Sequence, residues 1–254
     1  MSVLAIRSLS KAFGGVRAVN DVTFEIEQGE FLAMIGPNGA GKSTCFNMIN
    51  GQLKPDSGQI LFEGNDIAGL EPRTIWRLGV GRTFQVAATF SSMTVIENVQ
   101  MALISYAGET YELWRAAAEL HRDRALDLLS QVGMREAADR PSRELAYGDI
   151  KRIELAIALA NQPRLLLMDE PTAGMAPRER NDLIALVKRL VIERRTSVLF
   201  TEHSMDVVFA FADRVIVLAR GRLIADGDPA AIRNNVQVRE VYFGTGKTFA
   251  GVPQ

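Results

Sequence analysis

"GPNGAGKST", residues Gly36–Thr44, fits the pattern G-x-x-x-x-G-K-[ST] of a phosphate-binding loop. It follows the continuous apolar run "FLAMIG" at 31–36, which is typical of a strand buried on both faces. The apolar residues Phe46, Met48 and Ile49 then indicate a helix. Because strand, loop and helix follow in the order that the motif requires, the sequence predicts an α/β fold with a P-loop NTPase core. A glycine-rich turn that matches by chance is the alternative.

Each part of this loop has a chemical role in holding a nucleotide. Glycines allow the backbone to curl around phosphates, and the N–H groups and the helix N-terminus supply partial positive charge. Lys42 is expected to reach the β- and γ-phosphates, Ser43 to offer its hydroxyl to Mg²⁺, and Thr44 to bond the α-phosphate. The predicted nucleotide-binding residues of the loop are Gly36, Asn38, Gly39, Ala40, Gly41, Lys42, Ser43 and Thr44.

Two carboxylates end a second buried strand in the stretch "LLLMDE", residues 165–170. In open parallel sheets, ligands bind outside the carboxyl ends of the strands. Asp169 is therefore predicted to hold Mg²⁺ through water, and Glu170 to polarise the water that attacks in phosphoryl hydrolysis. The alternative for this pair is helix capping before Pro171.

Two further side chains are candidates at the same edge of the sheet. His203 follows the apolar run in "SVLFTEH" and is placed to hydrogen-bond a γ-phosphate, with a capping role as the alternative. Gln85 ends "GRTFQ" just before a change to helical patterning. Its amide oxygen is a possible Mg²⁺ ligand, and the amide could also report on the position of the helical region.

The patterning separates a strand-rich core from a helical insertion. Alternating apolar residues from Val22 to Ile26 predict antiparallel strands with one exposed face. Between about 91 and 160, helical spacing takes over, as at Leu113 and Ala117. Three more strands alternate with helices, which is the βαβ rhythm of a parallel sheet: Leu165–Asp169, Ser197–Thr201 and Val215–Leu218.

The predicted organisation is a single domain, 1–254, with an insertion and a tail. Residues 1–90 and 161–244 form the ATP-binding core with its antiparallel β-subdomain, 91–160 form an α-helical subdomain, and 245–254 form a loose tail. "GTGKT" near the C-terminus resembles the end of a P-loop motif, but valine stands where the first glycine is required.

Composition narrows the class of protein. The chain has 254 residues, 47% of them hydrophobic, which is enough for a substantial core. The net charge of −1 gives no bulk attraction to nucleic acid, so none is predicted as a partner. One cysteine, Cys45, fits a reducing compartment. We expect a soluble chain without a secretory signal, because no apolar run approaches the roughly 20 residues of a membrane helix.

Together these motifs resemble the ATP-binding cassette ATPases, the motor subunits of ABC transporters, over roughly Leu4 to Gly244. The resemblance implies ATP and Mg²⁺ as ligands. It makes Gln85 the glutamine loop and His203 the switch histidine, and it gives the motif residues Lys42, Asp169 and Glu170 their roles. It also implies that Phe13 in "KAFGGVRAV" stacks on adenine, because a flat ring offers a base a face; a packed core residue is the alternative.

The stretch "LAYGD", residues 145–149, is similar to the signature loop of that family, usually written LSGGQ. In the family, two cassettes dimerise head to tail, and the signature loop of one caps the γ-phosphate held by the P-loop of the other. The resemblance thus implies that Ala146 and Gly148 contact ATP in trans. A second cassette is an implied partner, as a different chain in the cell or as a second copy when the protein is isolated.

Three residues depart from the family pattern. Ala146 replaces the signature serine, Asp149 replaces the usual glutamine, and Ala176 stands where an aspartate is common. None of these changes touches the P-loop lysine, the strand carboxylates or the switch histidine. We therefore expect an active ATPase.

Other stretches look like the cassettes of bacterial branched-chain amino acid importers: "GRTFQ", "MTVIENVQMAL", "DEPTAGMAPRER" and "REVYFG". That likeness implies two polytopic permease subunits, a periplasmic solute-binding protein that acts indirectly, and a place on the cytoplasmic face of the inner membrane. The permease is expected to bind this chain around Gln85–Ser92. The alternatives are an export cassette of the lipopolysaccharide type and a soluble ABC ATPase outside transport.

Overall fold

The computed structural model describes residues 2–83, 89–108 and 119–243, and these form an α/β fold, as predicted. The strands are β1 Ser2–Phe13, β2 Val16–Glu27, β3 Phe31–Ile35, β4 Ser57–Phe62, β5 Asn65–Asp66, β6 Val80–Thr83, β7 Leu165–Asp169, β8 Ser197–Thr201, β9 Arg214–Ala219 and β10 Arg222–Gly227. The helices are α1 Lys42–Ile49, α2 Pro72–Leu78, α3 Val95–Ala107, α4 Arg122–Gln131, α5 Tyr147–Ala158, α6 Pro177–Arg194, α7 Met205–Phe211, α8 Pro229–Asn234 and α9 Val236–Phe243.

The strands form two sheets. A four-stranded antiparallel sheet has the order β2-β1-β4-β5, which confirms the predicted antiparallel strands of the N-terminal region. A six-stranded sheet has the order β10-β9-β3-β8-β7-β6, in which only β10 runs antiparallel to its neighbour. The P-loop strand β3 therefore lies between β8 and β9, inside the parallel part of the sheet.

Strand β3 is apolar at every position because a hydrophobic core covers each of its two faces. Phe31, Ala33 and Ile35 belong to one hydrophobic core, whereas Leu32 and Met34 belong to a second core on the other face of the sheet. Successive side chains of a strand point to opposite faces, so a strand covered on both sides has no position left for a polar residue.

The predicted helical region contains α3, α4 and α5. Helix α3 begins with a capping box, in which Thr94 and Glu97 satisfy each other's backbone N–H groups. Helix α5 begins at Tyr147. Its N-cap is Ala146, which has no side-chain acceptor, so the sequence lacks the usual signal for a helix start. The predicted helical positions Leu113 and Ala117 lie outside the described residues.

The sequence analysis missed strand β6, which pairs in parallel with β7 and completes the edge of the larger sheet. The C-terminal part folds as the hairpin β9–β10 followed by α8 and α9. The hairpin turns at Arg220 and Gly221, and both residues have positive φ. Within the described ranges, the helices are all too short or too polar to cross a membrane.

Candidate functional site

The P-loop runs from the carboxyl end of β3 to the start of α1, and two of its glycines lie against neighbouring backbone. A Cβ on Gly36 would lie 2.2 Å from the carbonyl oxygen of Leu218, and one on Gly41 would lie 2.3 Å from that of Ala18. Gly41 also has φ 105° at the N-cap of α1, a conformation that favours glycine. Only glycine fits at these two positions, so the shape of the loop depends on them.

The loop leaves some of its polar groups accessible and engages others within itself. Asn38, Gly39 and Ser43 are exposed, whereas Lys42 is buried. The Nζ of Lys42 donates to the carbonyl oxygen of Gly36 at 2.7 Å and to that of Pro37 at 3.2 Å. The ammonium of Lys42 is therefore held inside the loop.

Burial lowers the pKa of Lys42, while the negative charges of Glu170 and Asp169 raise it. The predicted lysine therefore interacts electrostatically with the two predicted carboxylates. Their order along the chain gives no such information, because more than 120 residues separate the two motifs.

One hydroxyl at the end of β8 contacts both Asp169 and Glu170. The Oγ1 of Thr201 donates to Oδ1 of Asp169 at 2.7 Å and accepts from the backbone N–H of Glu170 at 3.0 Å. Asp169 and Thr201 are paired across the parallel strands β7 and β8. Thr201 was not among the predicted site residues, although its place directly before Glu202 and His203 at a strand end is a usable signal.

Glu170 adopts a strained backbone conformation, with φ 49°. For a residue other than glycine, the left-handed region costs on the order of 1 kcal/mol or more and is concentrated at functional sites. The conformation turns the Glu170 side chain toward His203, whose Nε2 lies 2.8 Å from Oε1 of Glu170. The structure thus brings together Asp169, Glu170 and His203, which the sequence analysis had placed only at the same edge.

The remaining predicted residues lie around this centre. Phe13 ends β1 with 49% of its surface exposed, so it is not a core residue, and Nζ of Lys11 lies 5.8 Å from its ring centroid. Ala146 is the N-cap of α5, and Gly148 lies in the first turn of that helix. Gln85 falls outside the described residues.

Comparison with known proteins identifies the family of this chain. The sequence profile of the ABC transporter family matches residues 19–173. The chain belongs to the ABC transporter family. A second profile, that of the branched-chain amino acid ATP-binding cassette transporter, matches residues 222–248.

Individual relatives of this ABC cassette match along almost its whole length. It is 40% identical to the high-affinity branched-chain amino acid transport ATP-binding protein LivG of Escherichia coli K12, over 95% of this chain and 98% of LivG. It is 38% identical to the corresponding BraF of Pseudomonas aeruginosa, over 95% and 98% of the two chains.

Solved structures give the same picture. The ADP conformation of MJ1267, an ATP-binding cassette of an ABC transporter, matches with a TM-score of 0.87 and 32% identity, over 96% of this chain and 99% of that one. The cassette MJ0796, in a dimeric post-hydrolysis state bound to ADP and Pi, matches with a TM-score of 0.75 and 27% identity, over 89% and 98%. The fold of this chain is therefore that of an ATP-binding cassette.

The donor set of the site fits Mg²⁺ better than a metal held by the protein alone. Among the described residues, no group of three or more His, Cys, Asp or Glu could hold a metal ion. Mg²⁺ is usually bound by one or two carboxylates together with substrate phosphates and water. The carboxylate of Asp169 and the exposed hydroxyl of Ser43 are donors of that kind.

A partly buried arginine, Arg82, is a further residue of the site that was not predicted from the sequence. The Nη2 of Arg82 lies 3.8 Å from Oδ2 of Asp169, and its Nη1 donates to Asn47 and Gln52 at 3.0 Å each. Arg82 lies on β6, the strand that was itself not predicted. No motif signal in the sequence pointed to it.

The predicted signature loop offers a test at Ala146, the N-cap of α5. Replacement of Ala146 by Ser adds an N-cap acceptor to α5 and is expected to stabilise the protein by about 1 kcal/mol. For a chain of this size, this corresponds to a rise in Tm of about 2–4 °C, measured by calorimetry. The ATP-dependent dimer is expected to be kept or strengthened, because the new hydroxyl lies where the family has serine.

Glu71→Ser is the matched control, since Glu71 is the exposed N-cap of α2 and likewise makes no side-chain capping hydrogen bond. Both variants are expected to raise Tm, but only Ala146→Ser is expected to strengthen the dimer. Loss of the dimer in Ala146→Ser would contradict the proposed position of the loop.

Proposed function

We propose that this ABC cassette is the ATP-hydrolysing motor subunit of an importer for branched-chain amino acids or closely related solutes. The single observation that carries the proposal is the match to LivG over 95% of the chain, together with the C-terminal profile match at 222–248. The P-loop core alone would fit any ABC protein. The C-terminal match favours this importer over the lipopolysaccharide-type export cassette and over a soluble ABC ATPase.

In the proposed reaction, Lys42 leaves the carbonyl oxygens of Gly36 and Pro37 and binds the β- and γ-phosphates of ATP. Bound Mg²⁺ would neutralise developing charge on the phosphates. Asp169, through water, Ser43 and Gln85 would hold that ion. Thr201 keeps the carboxylate of Asp169 in a fixed orientation, so the site needs little rearrangement when nucleotide enters.

The contact between Glu170 and His203 has a direct part in this scheme. When His203 turns to the γ-phosphate, Oε1 of Glu170 becomes available to polarise the attacking water. We propose that the fixed backbone of Glu170, bonded to Thr201, keeps that carboxylate in place during the exchange. The second half of the phosphate site, Ala146 and Gly148, would come from a second cassette, by analogy with the dimeric MJ0796.

The surface that would meet the permease lies between the core and the helical region. A cavity of about 360 Å³ there is lined by residues that include Trp76, Arg82, Ala102 and Ile157, from α2, β6, α3 and α5. Of the predicted contact segment Gln85–Ser92, residues 85–88 lie outside the described part of the chain. Docking of permease subunits at this cavity would place the cassette at the cytoplasmic face of the membrane.

Phe13 offers a test of adenine binding. Replacement of Phe13 by Ala is expected to weaken ATP binding by about tenfold, because stacking of a base on an aromatic ring contributes about 1–3 kcal/mol. Phe13→Trp should keep the affinity. The measurement is a titration with ATP, and Phe90→Ala, which removes another exposed ring, is the control. Equal affinity in Phe13→Ala and wild type would exclude Phe13 from the site.

The direct test of the proposed function is uptake in the native cell. Removal of this chain is expected to abolish high-affinity uptake of labelled leucine, isoleucine and valine, with recovery by the wild-type chain and not by Glu170→Gln. Unchanged uptake of all three, together with a defect in export or in translation, would contradict the proposal.

A further inference from the structure

Glu202 is a buried carboxylate that the proposed chemistry does not use. It lies between Thr201 and His203 and is only 4% exposed. Its Oε1 accepts two hydrogen bonds from one residue, from the backbone N–H of Thr172 at 3.0 Å and from the Thr172 hydroxyl at 2.6 Å. Thr172 itself is 3% exposed. Burial of a carboxylate is costly unless hydrogen bonds compensate it, and bonds to an ionised acceptor are among the stronger ones.

Thr172 and Glu202 each lie close in sequence to one residue of the Glu170–His203 pair. Thr172 lies two residues after Glu170, and Glu202 lies next to His203. The Glu202–Thr172 bonds therefore run beside the contact between Glu170 and His203, which measures 2.8 Å. These contacts connect the segment after β7 to the segment after β8.

A third contact joins the same two segments on the far side of His203. The Nη1 of Arg180, in the first turns of α6, donates to the hydroxyl of Ser204. The backbone on both sides of His203 is thus attached to the chain that follows Glu170. A shift of residues 171–176 would act on residues 202–204 through these bonds.

We infer that Glu202 is a positioning residue, which makes the segment 171–176 and the switch histidine move as one unit through its two bonds to Thr172. The inference rests on the proposed function, in which His203 meets the γ-phosphate. Glu202 supplies the connection between Thr172 and the residue next to His203 from within the same chain.

The test removes one hydroxyl and keeps the shape of the side chain. Thr172→Val deletes the 2.6 Å bond to Glu202 and is expected to lower kcat for ATP hydrolysis by about tenfold, the range for a buried hydrogen bond to a charged group. The affinity for ATP should stay within about twofold, because Thr172 is outside the P-loop. Thr172→Ser keeps the hydroxyl and should restore turnover.

Thr196→Val is the matched control. Thr196 is also 4% exposed, and its hydroxyl donates to the carbonyl oxygen of Pro163 at 2.9 Å, just before the amino end of β8 and away from His203. This variant loses a comparable buried bond, so it should lose stability without losing kcat. Equal losses of kcat in Thr172→Val and Thr196→Val would overturn the inference, as would wild-type kcat in Thr172→Val.

Glu202→Gln removes the negative charge of the side chain but keeps its bonds to Thr172, because an amide oxygen can still accept from Thr172. It is expected to keep most of the turnover, and complete inactivity beside an active Thr172→Val would contradict a positioning role.

Hydrogen exchange without nucleotide tests the connection between Thr172 and residues 202–204 independently of ATP hydrolysis. Amides of 202–204 should exchange about tenfold faster in Thr172→Val than in Thr196→Val. Unchanged exchange would overturn the inference about Glu202 even if the proposed function holds. Absence of ATP turnover in the wild type would contradict the proposed function alone.

Discussion

Replacement of Glu170 by Gln is expected to lower the steady-state rate of ATP hydrolysis by about a hundredfold or more, because a positioned general base contributes on the order of 10²–10⁴ in rate. The substitution is almost isosteric, so the backbone bonds from Glu170 to Thr201 should persist. ATP should still bind, since Lys42 and the P-loop are unchanged. The variant is therefore expected to accumulate with ATP bound and two cassettes associated.

The measurement combines phosphate release with the molecular mass in the presence of ATP. Glu193→Gln is the control, because Glu193 is an exposed glutamate near the far end of α6. Its rate should equal that of the wild type. Turnover near the wild-type rate in Glu170→Gln would remove Glu170 as the polarising base.

Replacement of Lys42 by Ala is expected to weaken ATP binding by about a hundredfold. Hydrogen bonds that involve a charged group contribute about 1.5–3 kcal/mol each, and Lys42 is predicted to make at least two with the phosphates. The loss should be larger than for Phe13→Ala, because a desolvated ammonium interacts more strongly with phosphate than a ring does with a base. A titration that follows ATP binding directly measures this effect.

The control for this variant is Lys54→Ala, which removes an exposed lysine from the loop after α1. ATP affinity should not change there. The protein should also remain folded in Lys42→Ala, since the hydrogen bonds of Lys42 to the described residues go to the two loop carbonyls of Gly36 and Pro37. Unchanged affinity for ATP in a folded Lys42→Ala protein would contradict the role assigned to the P-loop.

Most of the fold could be predicted because the buried parallel strands consist mainly of apolar residues. Strands β3, β7 and β8 are buried at every position, so each appears as a short continuous apolar run. Strand β6 could not be recognised, because its sequence is Val-Gly-Arg-Thr. Its Gly81 is required by tertiary packing, since a Cβ there would lie 2.8 Å from the carbonyl oxygen of Ala158.

The candidate site could be predicted residue by residue but not as an arrangement. Lys42, Asp169, Glu170 and His203 each follow a buried strand, which identifies the edge of the sheet where they lie. Their contacts depend on the strand order, with β8 between β3 and β7, and that order cannot be read from the chain. The bonds from Thr201 and Glu202 escaped prediction for the same reason, because their partners are more than 28 residues away.

The most direct test of the central claim is to identify what this cassette binds in its own membrane. The Glu170→Gln chain is tagged, native membranes are solubilised with ATP and Mg²⁺, and the copurifying proteins are identified by mass spectrometry. The account predicts two polytopic membrane proteins and a second, different cassette, with recovery that depends on ATP. Recovery of ribosomes, DNA or an export assembly in place of these proteins would contradict it.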